Sequence, residues 1–203
     1  MGSTGKLEPD APAEHHDLAA PPNKPPAIAL RLAQARDIPA IAALIGISVR
    51  TLQAQHYSSA QMDAALGPVF GIDRELIRDG TYFVAEHNGA LLGCGGWSRR
   101  QSLFGSDAGR TAAQSTLLDP AHDPARIRAF FVHPQWARRG IGRLILSACE
   151  LAMAQARFRS AELVATLTGE PLYAAASYTV VQRYDIPLEG GLGLPVVRMA
   201  KAL

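Results

Sequence analysis

The residues best suited to chemistry form a short turn, rich in glycine and arginine, before an amphipathic helical pattern. The turn reads Arg138-Arg139-Gly140-Ile141-Gly142-Arg143. Free N–H groups at a helix start carry partial positive charge, glycine lets the backbone approach an anion, and guanidinium groups suit phosphate oxygens. The turn therefore predicts a phosphate or pyrophosphate site. The alternative is a plain strand–turn–helix with glycines for packing and arginines for solubility, and the turn alone does not decide between them.

Two common nucleotide motifs do not match this turn. A dinucleotide fingerprint requires a third glycine, and that position is Ile145. A Walker loop requires Gly-Lys-Ser/Thr, which is absent. Nicotinamide and ATP binding are therefore disfavoured.

A second block further along the chain supports the interpretation of the turn as a phosphate site. It reads Leu172-Tyr173-Ala174-Ala175-Ala176-Ser177-Tyr178. With the β-prone run at 126–132 and the glycine turn, it resembles the acetyl-CoA-binding core of the GCN5-related N-acetyltransferases (GNAT). Tyr173 falls on the family tyrosine, and Gly140 and Gly142 fill the two glycine positions of the family turn.

The sequence departs from the family pattern at several positions. Ala137 stands where the family turn has Gln or Arg, Ser177 replaces a glycine and Tyr178 replaces a phenylalanine. The resemblance covers most of 27–203 in element order and is specific over 126–178. It implies an α/β (α+β) fold, with a mixed, mostly antiparallel six- to seven-stranded sheet and helices on both faces.

The resemblance also implies an acetyl-CoA site. Two central strands would splay apart to admit the pantetheine arm, which backbone groups of Phe131 and Val132 would bind. Thr168 sits where many members have an asparagine that touches this arm. The pyrophosphate would lie on the turn, with these residues as cofactor ligands: Arg138, Arg139, Gly140, Ile141, Gly142 and Arg143. No metal is implied.

In the mechanism that the family implies, a neutral amine attacks the thioester directly. A backbone N–H near Phe131 or Val132 would stabilise the oxyanion. Tyr173 would donate a proton to the leaving thiolate. The alternative for Tyr173 is a packing tyrosine with a local hydrogen bond.

The general base stays open, because the cofactor strand carries no carboxylate. Glu86, Glu170 and His133 are candidates, although a solvated glutamate or a turn-forming histidine is the more common case. Tyr82 or Trp97 could line an acceptor pocket, with buried packing as the alternative. The two cysteines, Cys94 and Cys149, are given no catalytic role, since they match no metal or redox spacing.

The surrounding patterns predict the elements that position these residues. Asp37-Ile38-Pro39 is typical of a helix start, Asn88-Gly89 is a strong hairpin signal, and glycines within the return strand indicate a bulge or close backbone approach. Strands are predicted at 27–32, 81–87, 90–97, 126–132, 161–168, 178–186 and 196–201. Helices are predicted from 38 to about 45 and at 49–56, 59–66, 72–78, 141–156 and 171–176.

Composition narrows the setting. Residues 1–26 are rich in proline and lack apolar periodicity, so we expect a flexible tail before a domain at 27–203. A net charge of +2 gives no reason to expect nucleic acid or a membrane surface as a partner. The lone thiols and the lack of a long apolar run or signal peptide favour the cytoplasm.

Three functions are compared. The first is an N-acetyltransferase acting on a small-molecule or peptide amine. The second is a non-catalytic acyl-CoA sensor, and the third is a scaffold whose connection at 98–125 binds a partner. Tyr173 favours the first. The connection at 98–125 and the loop at 187–195 could form a lid or a homodimer contact, and the sequence does not identify the acceptor.

Overall fold

The protein folds around one β-sheet, seen in a computed structural model that describes residues 1–2, 27–104, 106–107 and 116–203. Its seven described strands lie in the order β1-β2-β3-β4-β5-β7-β6. They are Ala29–Leu32 (β1), Tyr82–His87 (β2), Ala90–Ser98 (β3), Ala125–Val132 (β4), Ser160–Thr166 (β5), Thr179–Pro187 (β6) and Gly193–Ala202 (β7). Neighbouring strands are antiparallel except β4 and β5, which are parallel. The predicted mixed, mostly antiparallel sheet is confirmed.

Helices cover both faces of this sheet, as predicted. They are Ile38–Leu52 (α1), Ser59–Ala65 (α2), Arg74–Arg78 (α3), Ile141–Gln155 (α4) and Glu170–Ala174 (α5). One face packs against α4, whose apolar stripe includes Ile145, Cys149 and Met153. The opposite face packs against α1, α2 and α3. We call these the α4 face and the α1 face.

The first helix differs from the prediction. Separate helices were expected from 38 to about 45 and at 49–56, but α1 runs without a break to Leu52. Its buried residues Ile41, Ile45 and Val49 keep a spacing of four, so one apolar face continues through the whole element. The prediction of a separate second helix was wrong: residues 49–52 belong to α1, and residues 53–56 lie beyond its end.

Local turn chemistry sets two other boundaries. Asn88 and Gly89 have φ values of 49° and 78°, and the hairpin prediction is confirmed because two positive φ values suit a tight β2–β3 turn. Strand β5 ends at Thr166, earlier than predicted. There the Thr166 hydroxyl accepts a hydrogen bond from the Gly169 N–H, which closes a turn.

Two predicted segments fall partly outside the described residues. The tail at 1–26 is described only at Met1 and Gly2, and the connection at 98–125 lacks residues 105 and 108–115. None of the described helices has the length and apolar character that crossing a bilayer requires.

Candidate active site

The parallel strands β4 and β5 separate soon after they begin. Their register has only three pairs: Ala125 with Ala161, Arg126 with Glu162, and Ile127 with Leu163. Strand β4 nevertheless continues to Val132, where it remains paired with β3. Among the described residues, the backbone of β4 beyond Ile127 therefore has no strand partner on its β5 side. This opening is the splayed pair of central strands that the resemblance implies, and we call it the β4–β5 gap.

A bulge in β4 lies beside the gap. Cys94 pairs with Phe131, but Gly96 pairs with Arg128, so β4 has one more residue than β3 over this stretch. Ala129 within the bulge has a φ of 58°, a left-handed conformation that is unfavourable for a residue with a Cβ. The bulge changes the direction in which the following backbone groups point, including those of Phe131 and Val132.

Glycines in β3 make room for the bulged strand. A Cβ on Gly95 would lie 2.6 Å from the Phe130 ring. A Cβ on Gly93 would lie 2.7 Å from Ile141 Cγ2, at the start of α4. The prediction of a bulge or close backbone approach is confirmed at both positions. The missing side chains let β4 and α4 pack closely on β3.

The glycine turn forms the N-terminus of α4. Gly140 is the N-cap residue, with a φ of 85° that only glycine adopts readily, and no side chain caps the helix. The first N–H groups of an α-helix have no partner within the helix. They are those of Ile141, Gly142 and Arg143. The backbone here can therefore bind an anion, as predicted from the sequence.

The three arginines of the turn are exposed. The guanidinium group of Arg139 lies over the Trp136 ring, with Cζ 5.3 Å from the ring centroid. Ile141, in contrast, is 1 % exposed, and its side chain packs in the core. The turn thus offers three exposed positive charges around backbone N–H groups that have no partner within the helix, and Ile141 can contribute only its backbone.

Tyr173 on α5 is packed beside the bulge. It is 6 % exposed, and its ring meets Phe130 edge to face at a centroid distance of 6.0 Å. Tyr178 packs against it at 5.9 Å. Burial raises the pKa of Tyr173 well above its ordinary value, with a further contribution from the nearby Cys149. The phenol therefore keeps its proton at neutral pH and can act as a donor.

Thr168 lies just beyond β5. Its hydroxyl donates a hydrogen bond to the Leu52 carbonyl oxygen at 3.3 Å, which links it to the end of α1. Toward another group the hydroxyl could then act only as an acceptor. The backbone N–H of the neighbouring Leu167 donates to the Tyr57 hydroxyl, so a side chain from outside the sheet holds this end of the gap.

The three base candidates from the sequence all have polar partners. Glu86 binds Arg31 at 2.8 Å, and Arg31 also binds Asp37. Glu170 binds Arg183, which lowers the pKa of the Glu170 carboxyl. The His133 Nδ1 accepts from the Gln135 N–H. None of these side chains is poised as a base.

An ion cluster on the α1 face was missed from the sequence. Arg128 of β4 has a side chain that is 1 % exposed, and its Nη2 lies 3.1 Å from Asp73 Oδ2 and 3.2 Å from Glu75 Oε2. Arg100 joins Glu75 to Asp79. Carboxylates that β4 lacks in its own sequence are thus brought to it by α3. An arginine at an inward position of a strand was the one available signal.

The aromatic candidates for an acceptor pocket are core residues. Trp97 is 3 % exposed and packs edge to face on Phe158. Tyr82 is fully buried on the α1 face, where its hydroxyl contacts β4. Both fit the packing alternative.

Comparison with protein families gives the same class as the geometry. Residues 78–180, half of the chain, match the family model described as an acetyltransferase (GNAT) domain. The protein therefore belongs to the GNAT acetyltransferase family. A search of curated proteins found no match.

Solved structures of low sequence identity share the fold. A GCN5-related N-acetyltransferase from Rhodopseudomonas palustris is 22% identical, with a TM-score of 0.63 over 88% of this chain and 96% of that one. PaiA N-acetyltransferase from Thermoplasma acidophilum, solved with coenzyme A, is 14% identical, with a TM-score of 0.59 over 87% and 99%. YncA from Salmonella typhimurium, solved with acetyl-CoA, is 16% identical, with a TM-score of 0.56 over 87% and 94%.

Proposed function

We propose that this protein is an acetyl-CoA-dependent N-acetyltransferase that moves the acetyl group to the amine of a small molecule or peptide. One observation carries the proposal. The β4–β5 gap opens beside the bulge of β4, where the buried, protonated Tyr173 packs on Phe130. Helix α4, which covers the same face of the sheet, begins without a side-chain cap and with three exposed arginines. An elongated thioester with a pyrophosphate matches this set of groups.

The residues present fit the cofactor. Backbone N–H groups at the start of α4 would bind the pyrophosphate, and Arg138, Arg139 and Arg143 would add positive charge. Unpaired backbone groups of β4 near Phe131 and Val132 would bind the pantetheine arm. Thr168 could accept a hydrogen bond beside it. PaiA and YncA, which were solved with coenzyme A and acetyl-CoA, support this assignment.

Bound acetyl-CoA would supply an acyl thioester, and the chain would supply placement. Holding an amine and a thioester together removes the entropy cost of a bimolecular encounter, which can contribute about 7–11 kcal/mol. A backbone N–H of Phe131 or Val132 would donate to the oxygen that becomes negative in the transition state. Such a preorganised donor costs no reorganisation when the charge develops.

Tyr173 would act as the general acid. Its raised pKa keeps the proton on the phenol at neutral pH. A thiol of ordinary pKa leaves as a thiolate, and a hydrogen bond donated by the neutral Tyr173 phenol would stabilise that developing charge. The edge-to-face contacts with Phe130 and Tyr178 fix the ring beside β4.

The amine would attack in its neutral form. Glu86, Glu170 and His133 are engaged elsewhere, so we do not assign one of them as base. The carboxylates of Asp73 and Glu75 on the α1 face of β4 are held in the buried ion cluster with Arg128, so neither is assigned as base.

A thiol-release assay tests the proposal. The protein is incubated with acetyl-CoA and a panel of amines, amino acids and peptides, and free CoA is measured. Amine-dependent release is expected for at least one acceptor class. Tight CoA binding with no release from any amine would instead favour the alternative, a non-catalytic acyl-CoA sensor. The sensor alternative is supported by the three base candidates, Glu86, Glu170 and His133, which are all engaged in other contacts.

We also propose the setting. The free thiols of Cys94 and Cys149 fit a reducing compartment, so we place the protein and its amine acceptor in the cytoplasm, with neither nucleic acid nor membrane as a partner. A homodimer is tested separately, by measuring the molar mass in solution.

A further inference from the structure

The bulge in β4 is contacted across β3 by a side chain with no role in the proposed mechanism. Tyr82 of β2 pairs with Gly96 of β3, and a Cβ on Gly96 would lie 3.0 Å from Tyr82 Cδ2. The absent side chain leaves space for the ring to extend over β3. The Tyr82 hydroxyl then donates to the Ala129 carbonyl oxygen on β4, with an O···O distance of 3.2 Å.

Ala129 is the residue that most needs such a contact. Its φ of 58° is unfavourable for an alanine, and a bulged residue is left out of the regular ladder. A carbonyl in this position, close to a fully buried ring, costs free energy unless a donor satisfies it. The Tyr82 hydroxyl supplies that donor.

The surroundings keep the hydroxyl in its donor form. Tyr82 is fully buried, and burial raises its pKa well above the ordinary value. Cys94 is also buried, with Sγ 3.2 Å from the Tyr82 oxygen and 3.9 Å from the same carbonyl. Burial raises the pKa of the Cys94 thiol to about 12, so it remains neutral beside the phenol.

We propose that Tyr82 is a positioning residue that holds the left-handed Ala129 and thereby keeps the β4–β5 gap in its cofactor-binding shape. Without the contact, Ala129 would relax toward an extended conformation. Backbone groups alternate in direction along a strand. If the bulge of β4 were lost, the register would shift by one residue and the N–H groups of Phe130–Val132 would point in other directions. The part of the inference that concerns the cofactor rests on the proposed function.

Two variants and two measurements test this role. Tyr82→Phe removes the hydroxyl and keeps the ring. The double variant Tyr82→Phe/Ala129→Gly also removes the strain, because glycine adopts positive φ without penalty. Amide hydrogen exchange is measured over 129–132 in the protein without ligand, and the Kd for CoA is measured by calorimetry on folded protein.

Tyr82→Phe is expected to speed exchange at 129–132 and to raise the Kd for CoA roughly fivefold, the factor of one net hydrogen bond. The double variant is expected to recover most of the affinity. Tyr184→Phe, which removes a phenol on the edge strand β6, should leave both measurements unchanged. If the hydroxyl serves only overall stability, Tyr82→Phe would lower the melting temperature, and adding Ala129→Gly would not restore the CoA affinity.

The outcomes separate this inference from the proposed function. Unchanged exchange at 129–132 in Tyr82→Phe overturns the positioning role, even if the wild type binds CoA. Unchanged CoA affinity in a variant whose exchange does increase also overturns it. If the wild type binds no CoA while exchange at 129–132 increases, the proposed function fails and the contact with the bulge stands.

Discussion

The two faces of the sheet hold the same strand, β4, by different means. On the α4 face, Phe130 lies over Gly95 and against Tyr173, so packing of rings on bare backbone fixes its position. On the α1 face, Arg128 is held by Asp73 and Glu75 in a buried ion cluster. The α4 face carries the groups that we propose for the reaction, and the ion cluster on the α1 face anchors the strand that presents them. Damage to the proposed groups on the α4 face should therefore change turnover or affinity, and loss of the ion cluster should first change stability.

Breaking the ion cluster should have the largest effect. Arg128→Ala would leave the buried carboxylates of Asp73 and Glu75 without this cation, and we expect a loss of about 3–5 kcal/mol in the free energy of unfolding. Urea denaturation measures it. Arg183→Ala, which breaks the exposed pair with Glu170, is the control and should change stability little. Equal losses in both variants would mean that the buried cluster is no anchor.

Removing the phenol of Tyr173 should separate turnover from binding. Tyr173→Phe keeps the ring contacts with Phe130 and Tyr178, and we expect kcat to fall about 100-fold, the usual contribution of a general acid. The Kd for CoA and the melting temperature should stay close to the wild-type values. Tyr184→Phe, on the half-buried part of β6, is the matched control. An unchanged kcat in Tyr173→Phe would leave this tyrosine a packing residue.

Neutralising one arginine of the turn should have a smaller effect that depends on salt. Arg143→Gln is expected to raise the Kd for CoA about threefold at low ionic strength, since exposed charges at a helix start contribute modestly. The difference should shrink as salt is added. Arg159→Gln, an exposed arginine beyond the other end of α4, should not alter the Kd. The assignment of the phosphate site fails if both variants bind CoA equally.

The pH profile of kcat should show no decline at alkaline pH, because the pKa of Tyr173 is raised. A free tyrosine loses its proton near pH 10, and burial moves the pKa of Tyr173 higher. The acid form is therefore retained throughout the assay range, and kcat should rise as the acceptor amine loses its proton and then level off. Initial-rate assays from pH 6 to 10 measure the dependence of kcat on pH. A decline that begins below pH 9 would contradict the assignment, provided that the fold is intact at that pH.

The sequence was sufficient for local features. Gly140 is the N-cap of α4 and Gly142 lies in its first turn, and Asn88-Gly89 encodes its turn in two residues, so periodicity and turn chemistry predict both. Tyr173 was proposed because it belongs to a short motif at a family spacing. The mixed, mostly antiparallel sheet with splayed central strands followed from the family resemblance.

Features that join distant segments could not be predicted. Arg128 meets Asp73 and Glu75 only when α3 packs on the sheet, and nothing near Arg128 in the sequence identifies those partners. The positive φ of Ala129 has no local signal either, because alanine is not a residue that favours it. The sequence analysis divided α1 into two helical stretches, whereas tertiary burial of Ile45 and Val49 maintains one continuous helix.

The central claim is that the β4–β5 gap and the start of α4 form one site for CoA. Amide hydrogen exchange with and without saturating CoA tests it most directly. Protection is expected together at 130–132 and 141–143, with no change along the edge strand β6. Binding without protection in these two segments, or protection confined to another part of the sheet, would contradict the assignment.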